Sequence, residues 1–263
     1  MKLSIVIPVY NEEDTLKACL ESISRQTVMP DEVIVVDNNS SDASISIARQ
    51  YKFIKIIREN RQGISYARNT GFDYASGDII GRIDADTILD DIWVETVKEI
   101  FKDKSISAVS GKVGYYDGLW PKFNSIIDHF FRSGLSNKMP GNLFLYGANM
   151  AISKQAWLKI KQSVCNDEYI HEDLDIAIHL NNLSFKVIFS TELTAKISCR
   201  RFSRNINEVS DYANKTVATY REHNRRLSPY FYIIWSSLFI FYWYVFLNAL
   251  YYKKSLKRRL TSI

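Results

Sequence analysis

Five short runs rich in Val and Ile recur through the first 113 residues, separated by stretches whose apolar residues have helical spacing, and this alternation restricts the fold more than any other feature. The runs Leu3 to Ile7, Glu32 to Val36, Ile54 to Ile57, Ile79 to Ile83 and Ala108 to Val113 read as strands, and 12–27, 42–51, 63–75 and 91–102 as helices. A strand apolar at nearly every position has both faces covered, and a helix after each strand is the crossover that a parallel sheet needs. The expected class is α/β, a mostly parallel sheet flanked by helices. Ligands bind such sheets beyond the C-terminal ends of their strands.

Helix starts are signalled by Asn11-Glu12-Glu13-Asp14, Ser40-Ser41-Asp42 and Asp90-Asp91, which offer side-chain caps and first-turn acids. Between 115 and 145 the pattern loosens around Gly118, Trp120-Pro121 and Met139-Pro140-Gly141, with one helix expected from Pro121 to Leu135. Order returns with a strand from Leu143 to Tyr146, helices over 153–162 and 172–182, strands over 185–189 and 194–198, and a polar helix over 205–225. The expected division is a sheet-based domain over 1–204, a connecting helix over 205–228, an apolar segment over 229–252 and a basic tail over 253–263.

The chain has 263 residues, 46% of them hydrophobic, enough for a sizeable core and too many for a disordered chain. Its net charge of +5 is unevenly placed: residues 196–263 hold 13 Lys/Arg against 3 Asp/Glu, leaving 21 against 26 before them. Tyr230 to Tyr252 runs 23 residues without a formal charge. A membrane span needs roughly 20. The alternative is a helix lying in the interface, which the aromatics and Ser236, Ser237 and Asn248 would suit. A basic tail beside an apolar run points to anionic lipid, not to nucleic acid. Three cysteines, Cys19, Cys165 and Cys199, have no metal-ligand spacing, so neither a disulfide framework nor a zinc site is expected. The N-terminal apolar run is too short for a signal peptide. The expected location is the cytoplasmic face of a membrane.

The sharpest chemical signal is Ile83-Asp84-Ala85-Asp86-Thr87 at a strand end. On an extended backbone, carboxylates at i and i+2 project to one side and can converge on a hard cation, Mg²⁺ or Mn²⁺, whose remaining ligands come from substrate phosphates. Alone, the pattern is better read as two solvated loop acids. Asp37 closes the second strand and Pro8-Val9-Tyr10-Asn11-Glu12 the first, so three strand ends deliver polar groups to one rim. Asp37 there can accept from a nucleobase N–H or a ribose hydroxyl. Arg68 is carried toward the same region by the helix after Gly63, or pairs with a surface acid.

Together, Ile5-Val6-Ile7-Pro8-Val9-Tyr10-Asn11-Glu12, Val36-Asp37-Asn38-Asn39-Ser40-Ser41-Asp42, Ala67-Arg68-Asn69 with Gly71, Gly77-Asp78 and Asp84-Ala85-Asp86 resemble inverting family 2 glycosyltransferases of the GT-A fold, over about residues 1–200. The resemblance implies a nucleotide-sugar donor, a uridine diphosphate sugar being commonest in such proteins, with Pro8, Tyr10, Glu12 and Asp37 around the nucleoside. It places Asp84 near ribose and sugar, and Asp86 with Asp84 on Mn²⁺ or Mg²⁺. His171-Glu172-Asp173-Leu174-Asp175 matches the Glu-Asp pair whose Asp is the general base, which maps to Asp173, with Glu172 beside it on the acceptor side. In the bland reading these are first-turn acids that favour a helix N-terminus. Gly147-Ala148-Asn149 looks like the acceptor-side loop, where a small residue lets backbone approach the sugar. Arg200-Arg201 resemble paired arginines that neutralise the departing diphosphate.

No Gln-Xaa-Xaa-Arg-Trp follows those arginines, which separates the chain from polymer-extruding synthases and implies addition of one sugar at a time to a glycan or lipid-linked acceptor. Two alternatives remain at this level. A magnesium-dependent nucleotidyltransferase would release pyrophosphate, and a membrane-tethered binding protein on the same fold would turn nothing over.

Overall fold

The computed structural model describes residues 1–117, 145–198 and 206–224, with side chains of the last stretch from 214 onward. In chain order the elements are β1 (Leu3–Val9), α1 (Leu16–Ser24), β2 (Glu32–Asp37), α2 (Ser44–Ala48), β3 (Ile54–Arg58), α3 (Ile64–Tyr74), β4 (Ile79–Arg82), β5 (Ile88–Leu89), α4 (Trp93–Ile100) and β6 (Ile106–Tyr115). There follow β7 (Met150–Ser153), α5 (Lys154–Ile160), α6 (Glu172–Asn182), β8 (Lys186–Ile197) and α7 (Ile206–Glu222).

Among the described residues these strands form one eight-stranded sheet in the order β3-β2-β1-β4-β7-β6-β8-β5. The half built from the first four strands is parallel, as expected. The other half is mixed: β7 runs antiparallel to both β4 and β6, and β5 antiparallel to β8. Two strand expectations change accordingly. Leu145 and Tyr146 lie outside any strand, and the antiparallel strand begins at Met150. The pieces expected at 185–189 and 194–198 are one strand, β8, whose register on β6 jumps between Ser190 and Thr194. An irregularity of this kind interrupts the alternation by which a strand is read.

Successive residues of β1 and β2 point to opposite faces, and both faces are covered. Leu3, Ile5, Ile7 and Val9, with Val33 and Val35, face a cluster holding Leu16, Cys19, Leu20 and Ile23 of α1 and Trp93, Val94 and Val97 of α4. Val6, Ile34 and Val36 face the opposite cluster, with Phe72 of α3, Trp157 of α5 and Ile176 of α6. Each such side chain contributes about 1.5–3 kcal/mol on full burial. Gly71 lets α3 lie close to this sheet, since a Cβ there would come within 2.3 Å of Val6 Cγ1.

The helix starts differ from expectation. Thr15, not the Asn11–Asp14 stretch, precedes α1, and it makes no side-chain cap. Asp42 Oδ2 instead accepts from the Glu13 N–H (3.0 Å) and Glu13 Oε2 from the Ala43 N–H (2.9 Å), so these acids tie two loops together. The segment 229–252, expected to span or lie on a membrane, and the tail 253–263 lie outside the described residues, as does the helix expected over 121–135. Among the described residues no helix is long and apolar enough to cross a membrane.

Candidate active site

The parallel strands β1, β2 and β4 end at one rim, and their loops are wired to each other. Asn11 and Asn39 take positive φ, 53° and 67°, a region asparagine tolerates better than most residues. That turn lets Asn11 Oδ1 accept from the Ser41 N–H (2.8 Å), and Asn39 Nδ2 donate to Asn60 O (2.9 Å). Buried Asn38 binds the loop after β3 on both sides of its amide, donating to Arg61 O (2.7 Å) and accepting from the Gly63 N–H (2.8 Å). Asp37 is held in place by the Ser40 N–H on its Oδ1 (2.8 Å). Tyr10 stands out from this rim, 52% exposed, with Pro8 half-buried behind it and the Glu12 carboxylate on Thr15 Oγ1 (2.9 Å).

Asp84 and Asp86 lie at the same rim, on a turn and not on extended backbone. β4 ends at Arg82, and the Thr87 N–H closes back on Asp84 O at 3.0 Å. Thr87 is fully buried, its hydroxyl on Ala148 O (3.2 Å), so the turn is anchored from below. Beneath it lies Cys19 of α1, whose Sγ is 3.7 Å from Asp84 O. The thiol's pKa is pushed far up, first by burial and then by Asp86, Asp84 and Glu12 in that order.

Behind the turn runs a buried chain of charge that was not read from the sequence. The Arg82 guanidinium, its side chain 2% exposed, bridges Asp84 Oδ1 (2.9 Å) and Glu172 Oε1 (2.8 Å). Glu172 Oε2 also meets Arg68 Nη1 at 3.3 Å, and that nitrogen donates to Glu172 O at 2.8 Å. Burial pushes the Glu172 carboxyl above its ordinary value, Arg82 opposes this, Asp173 adds to it and Arg68 opposes it again. With two guanidiniums in contact, neither able to give up a proton near neutrality, the carboxylate is the form this network is built around.

This arrangement gives five of the expected site residues structural surroundings. Arg68 is wholly buried against Glu172 and the Trp157 ring, 5.9 Å from its centroid, and does not reach the rim as a donor contact. Glu172 is buried between two arginines. Gly147 is small for the sake of Arg82: a Cβ there would fall 1.0 Å from Arg82 Nη1. Asn149, with no exposure, is spent on structure. Its Oδ1 accepts from Trp93 Nε1 (2.7 Å), and its Nδ2 donates to Lys112 O (2.9 Å) and Leu193 O (3.0 Å). Ala148 is buried as well, at 1%. Asp173 is half-buried at the start of α6, and its Oδ2 accepts from the Gly147 N–H at 3.1 Å, which links that carboxylate to the loop beside Arg82. Arg200 and Arg201 lie outside the described residues.

The signal for Arg82 was present in the sequence. It is the one charge inside an otherwise apolar strand, and a buried arginine there requires acids beside it.

A profile of glycosyl transferase family 2 matches residues 4–160. The chain belongs to that family. It is 37% identical over 120 residues to glycosyltransferase AglE of Haloferax volcanii, a match covering 43% of this chain and 40% of that protein. It is 24% identical over 255 residues to chondroitin synthase of Pasteurella multocida, covering 84% of this chain and 26% of that one. The chain thus spans less than half the length of either relative. Among solved structures it superposes on a mannosyltransferase from Pyrobaculum calidifontis in complex with GDP-Man and Mn²⁺, with a TM-score of 0.62, 17% identity, and 84% and 64% of the two chains covered. It also superposes on glucosyl-3-phosphoglycerate synthase from Mycobacterium tuberculosis in complex with Mn²⁺, UDP-glucose and phosphoglyceric acid, with a TM-score of 0.60, 19% identity, and 86% and 81% covered. At these identities the likeness establishes the fold, a GT-A-like sheet with flanking helices.

Proposed function

We propose that this chain transfers a sugar from a nucleoside diphosphate donor, of the uridine class, to a hydroxyl of a glycan or lipid-linked acceptor, with inversion at the anomeric carbon. The observation that carries this reading is the turn after β4 that holds Asp84 and Asp86 at the rim, with Asp173 held beside Gly147. In this reading Asp37 and Tyr10, at the same rim, meet the nucleoside. Family membership supports the reaction class, and the solved relatives bound to GDP-Man or UDP-glucose support the donor class.

The turn's carboxylates suit a divalent cation, because they are hard oxygen donors. Asp86 and Asp84 would hold Mn²⁺ or Mg²⁺, which when bound supplies a Lewis acid to the departing diphosphate. Asp173 takes the proton of the acceptor hydroxyl as that oxygen bonds to the anomeric carbon, and the bond to the diphosphate breaks with its electron pair on the phosphate. The Gly147 N–H orients this carboxylate. Arg200 and Arg201, just past β8 in sequence, serve as counter-charges to the leaving group. The apolar run and basic tail support the cytoplasmic face of a membrane as the place of work.

A panel of nucleotide sugars with Mn²⁺, assayed for nucleoside diphosphate release and for product anomeric configuration, tests the proposal. Asp86→Ala and Asp173→Asn should each abolish transfer from every active donor. Full transfer by both variants, or a retained configuration, overturns it.

A further inference from the structure

Away from the rim, four side chains from three separate stretches meet around one point. Asp175 and His179 are one turn apart on α6, Cys165 lies in the loop between α5 and α6, and His223 immediately follows α7. Their potential ligand atoms, one thiol sulfur, one carboxylate oxygen and two imidazole nitrogens, all lie within 4.8 Å of one another. Asp175 is fully buried, and the side chains of His223 and His179 are 9% and 16% exposed.

Both imidazoles aim Nε2 at the same carboxylate oxygen. His223 Nε2 is 2.8 Å from Asp175 Oδ1, and His179 Nε2 is 3.4 Å from it. The other oxygen, Oδ2, accepts from the Cys165 N–H at 2.9 Å. One histidine is enough for the hydrogen bond. The Nε2 of His179 is buried and makes none, an arrangement that a purely structural contact leaves unexplained. A metal ion accepting from both rings, the carboxylate and the thiolate would account for it.

We propose that Cys165, Asp175, His179 and His223 form a structural zinc site. Two nitrogens, one sulfur and one oxygen are the mixed donors Zn²⁺ takes tetrahedrally, and they differ in kind from the all-oxygen carboxylates of Asp84 and Asp86, which suit Mn²⁺ or Mg²⁺. Zinc bonds of 2.0–2.3 Å give ligand–ligand edges of about 3.3–3.7 Å, so the widest separations, up to 4.8 Å, must close by roughly 1 Å while the 2.8 Å His223–Asp175 contact opens by about 0.5 Å. The linear spacing hid the site, because only Asp175 and His179 are neighbours in sequence. Its effect is to clasp the end of α7 onto α6, the helix whose first turn carries Glu172 and Asp173, beside the bond from the His171 N–H to the buried Thr219 hydroxyl (2.9 Å).

The full chain, stripped with chelator and dialysed against Zn²⁺ in a large excess of Mn²⁺, should keep one Zn²⁺ per chain through gel filtration, measured by elemental analysis. With Co²⁺ it should show a thiolate-to-cobalt charge-transfer band. Cys165→Ser should lose that band while keeping the visible d–d absorption. His179→Gln and His223→Gln should each weaken Zn²⁺ binding by about 100-fold or more. Asp86→Ala should leave the zinc content unchanged, which separates this site from the catalytic one. No retained zinc in the wild-type chain, or equal retention in the wild type and all three cluster variants, overturns the proposal. The wild-type measurement decides even where a variant does not fold.

Discussion

Gly147→Ala separates two accounts of one residue. If the glycine exists so that backbone can approach a bound sugar, a methyl group raises the acceptor KM and leaves the fold alone. The structure argues otherwise: the new Cβ would sit 1.0 Å from Arg82 Nη1 and 2.2 Å from Arg82 Cζ. Ordinary contact begins near 3.4 Å, so the guanidinium must retreat by about 2 Å. Ion pairs at 2.9 Å to Asp84 and 2.8 Å to Glu172 do not survive that displacement. Breaking a buried pair by removing one partner costs about 3–5 kcal/mol. For a domain of this size each kcal/mol is worth about 2–4 °C of Tm, so the variant should melt about 6–20 °C lower.

Activity should fall with it, because the same shift loosens Asp84 at the rim and disturbs the loop whose N–H holds Asp173. Thermal denaturation by circular dichroism gives the stability arm, and donor and acceptor titrations give the kinetic arm. A Tm within about 1 °C of wild type, with only the acceptor KM raised, would refute the reasoning.

The same network predicts an asymmetry between its members. Glu172→Gln leaves Arg68 and Arg82 buried without their shared carboxylate and should cost about 3–5 kcal/mol in urea denaturation, whereas Arg68→Met leaves Glu172 paired with Arg82 and should cost less than about 1 kcal/mol with the donor KM unchanged. Equal losses in the two variants would show that Arg82 alone does not sustain Glu172. A second test is by acid. Burial works against the Glu32 carboxylate, but Lys55, Ser4 and Ser76 overcome it and hold its pKa at about 2 against the ordinary 4.5. The unfolded chain takes up that proton first, so the stabilisation is complete above about pH 4.5 and is lost as pH falls toward 2. Tm measured across that window should fall less steeply in Glu32→Gln than in wild type, and parallel curves would remove Glu32 from the account.

The parallel half of the sheet was legible because β1 and β2 are apolar at almost every position, and only a strand covered on both faces demands that. The mixed half was not. Nothing in Met150–Ser153 marks its direction, and the register jump within β8 breaks the alternation that would have joined its two pieces. The rim acids were legible because they close strands. Their support was not, since a residue's type carries no record of its partner: Glu172 and Asp173 are adjacent in sequence, yet one is buried between two arginines and the other faces the loop of Gly147. Asn149, read as an acceptor contact, is a core residue because three partners from β6, β8 and α4 converge on its amide, and no local pattern announces three long-range bonds.

The position of Arg82 gives the buried charges a purpose. Asp84 and Asp86 stand on one short turn, and like charges so close repel each other. A guanidinium fixed behind Asp84 offsets part of that repulsion without occupying the rim. It also sets the turn's geometry before any ligand arrives, and preorganised charge is worth most where water is scarce. Because the same guanidinium also grips Glu172, the carboxylates of the donor half are tied to the helix that carries Asp173. The two halves of the proposed displacement are thereby held at one separation. Both contacts run through one guanidinium nitrogen, Nη2, so the spacing depends on where the buried Arg82 side chain holds that atom.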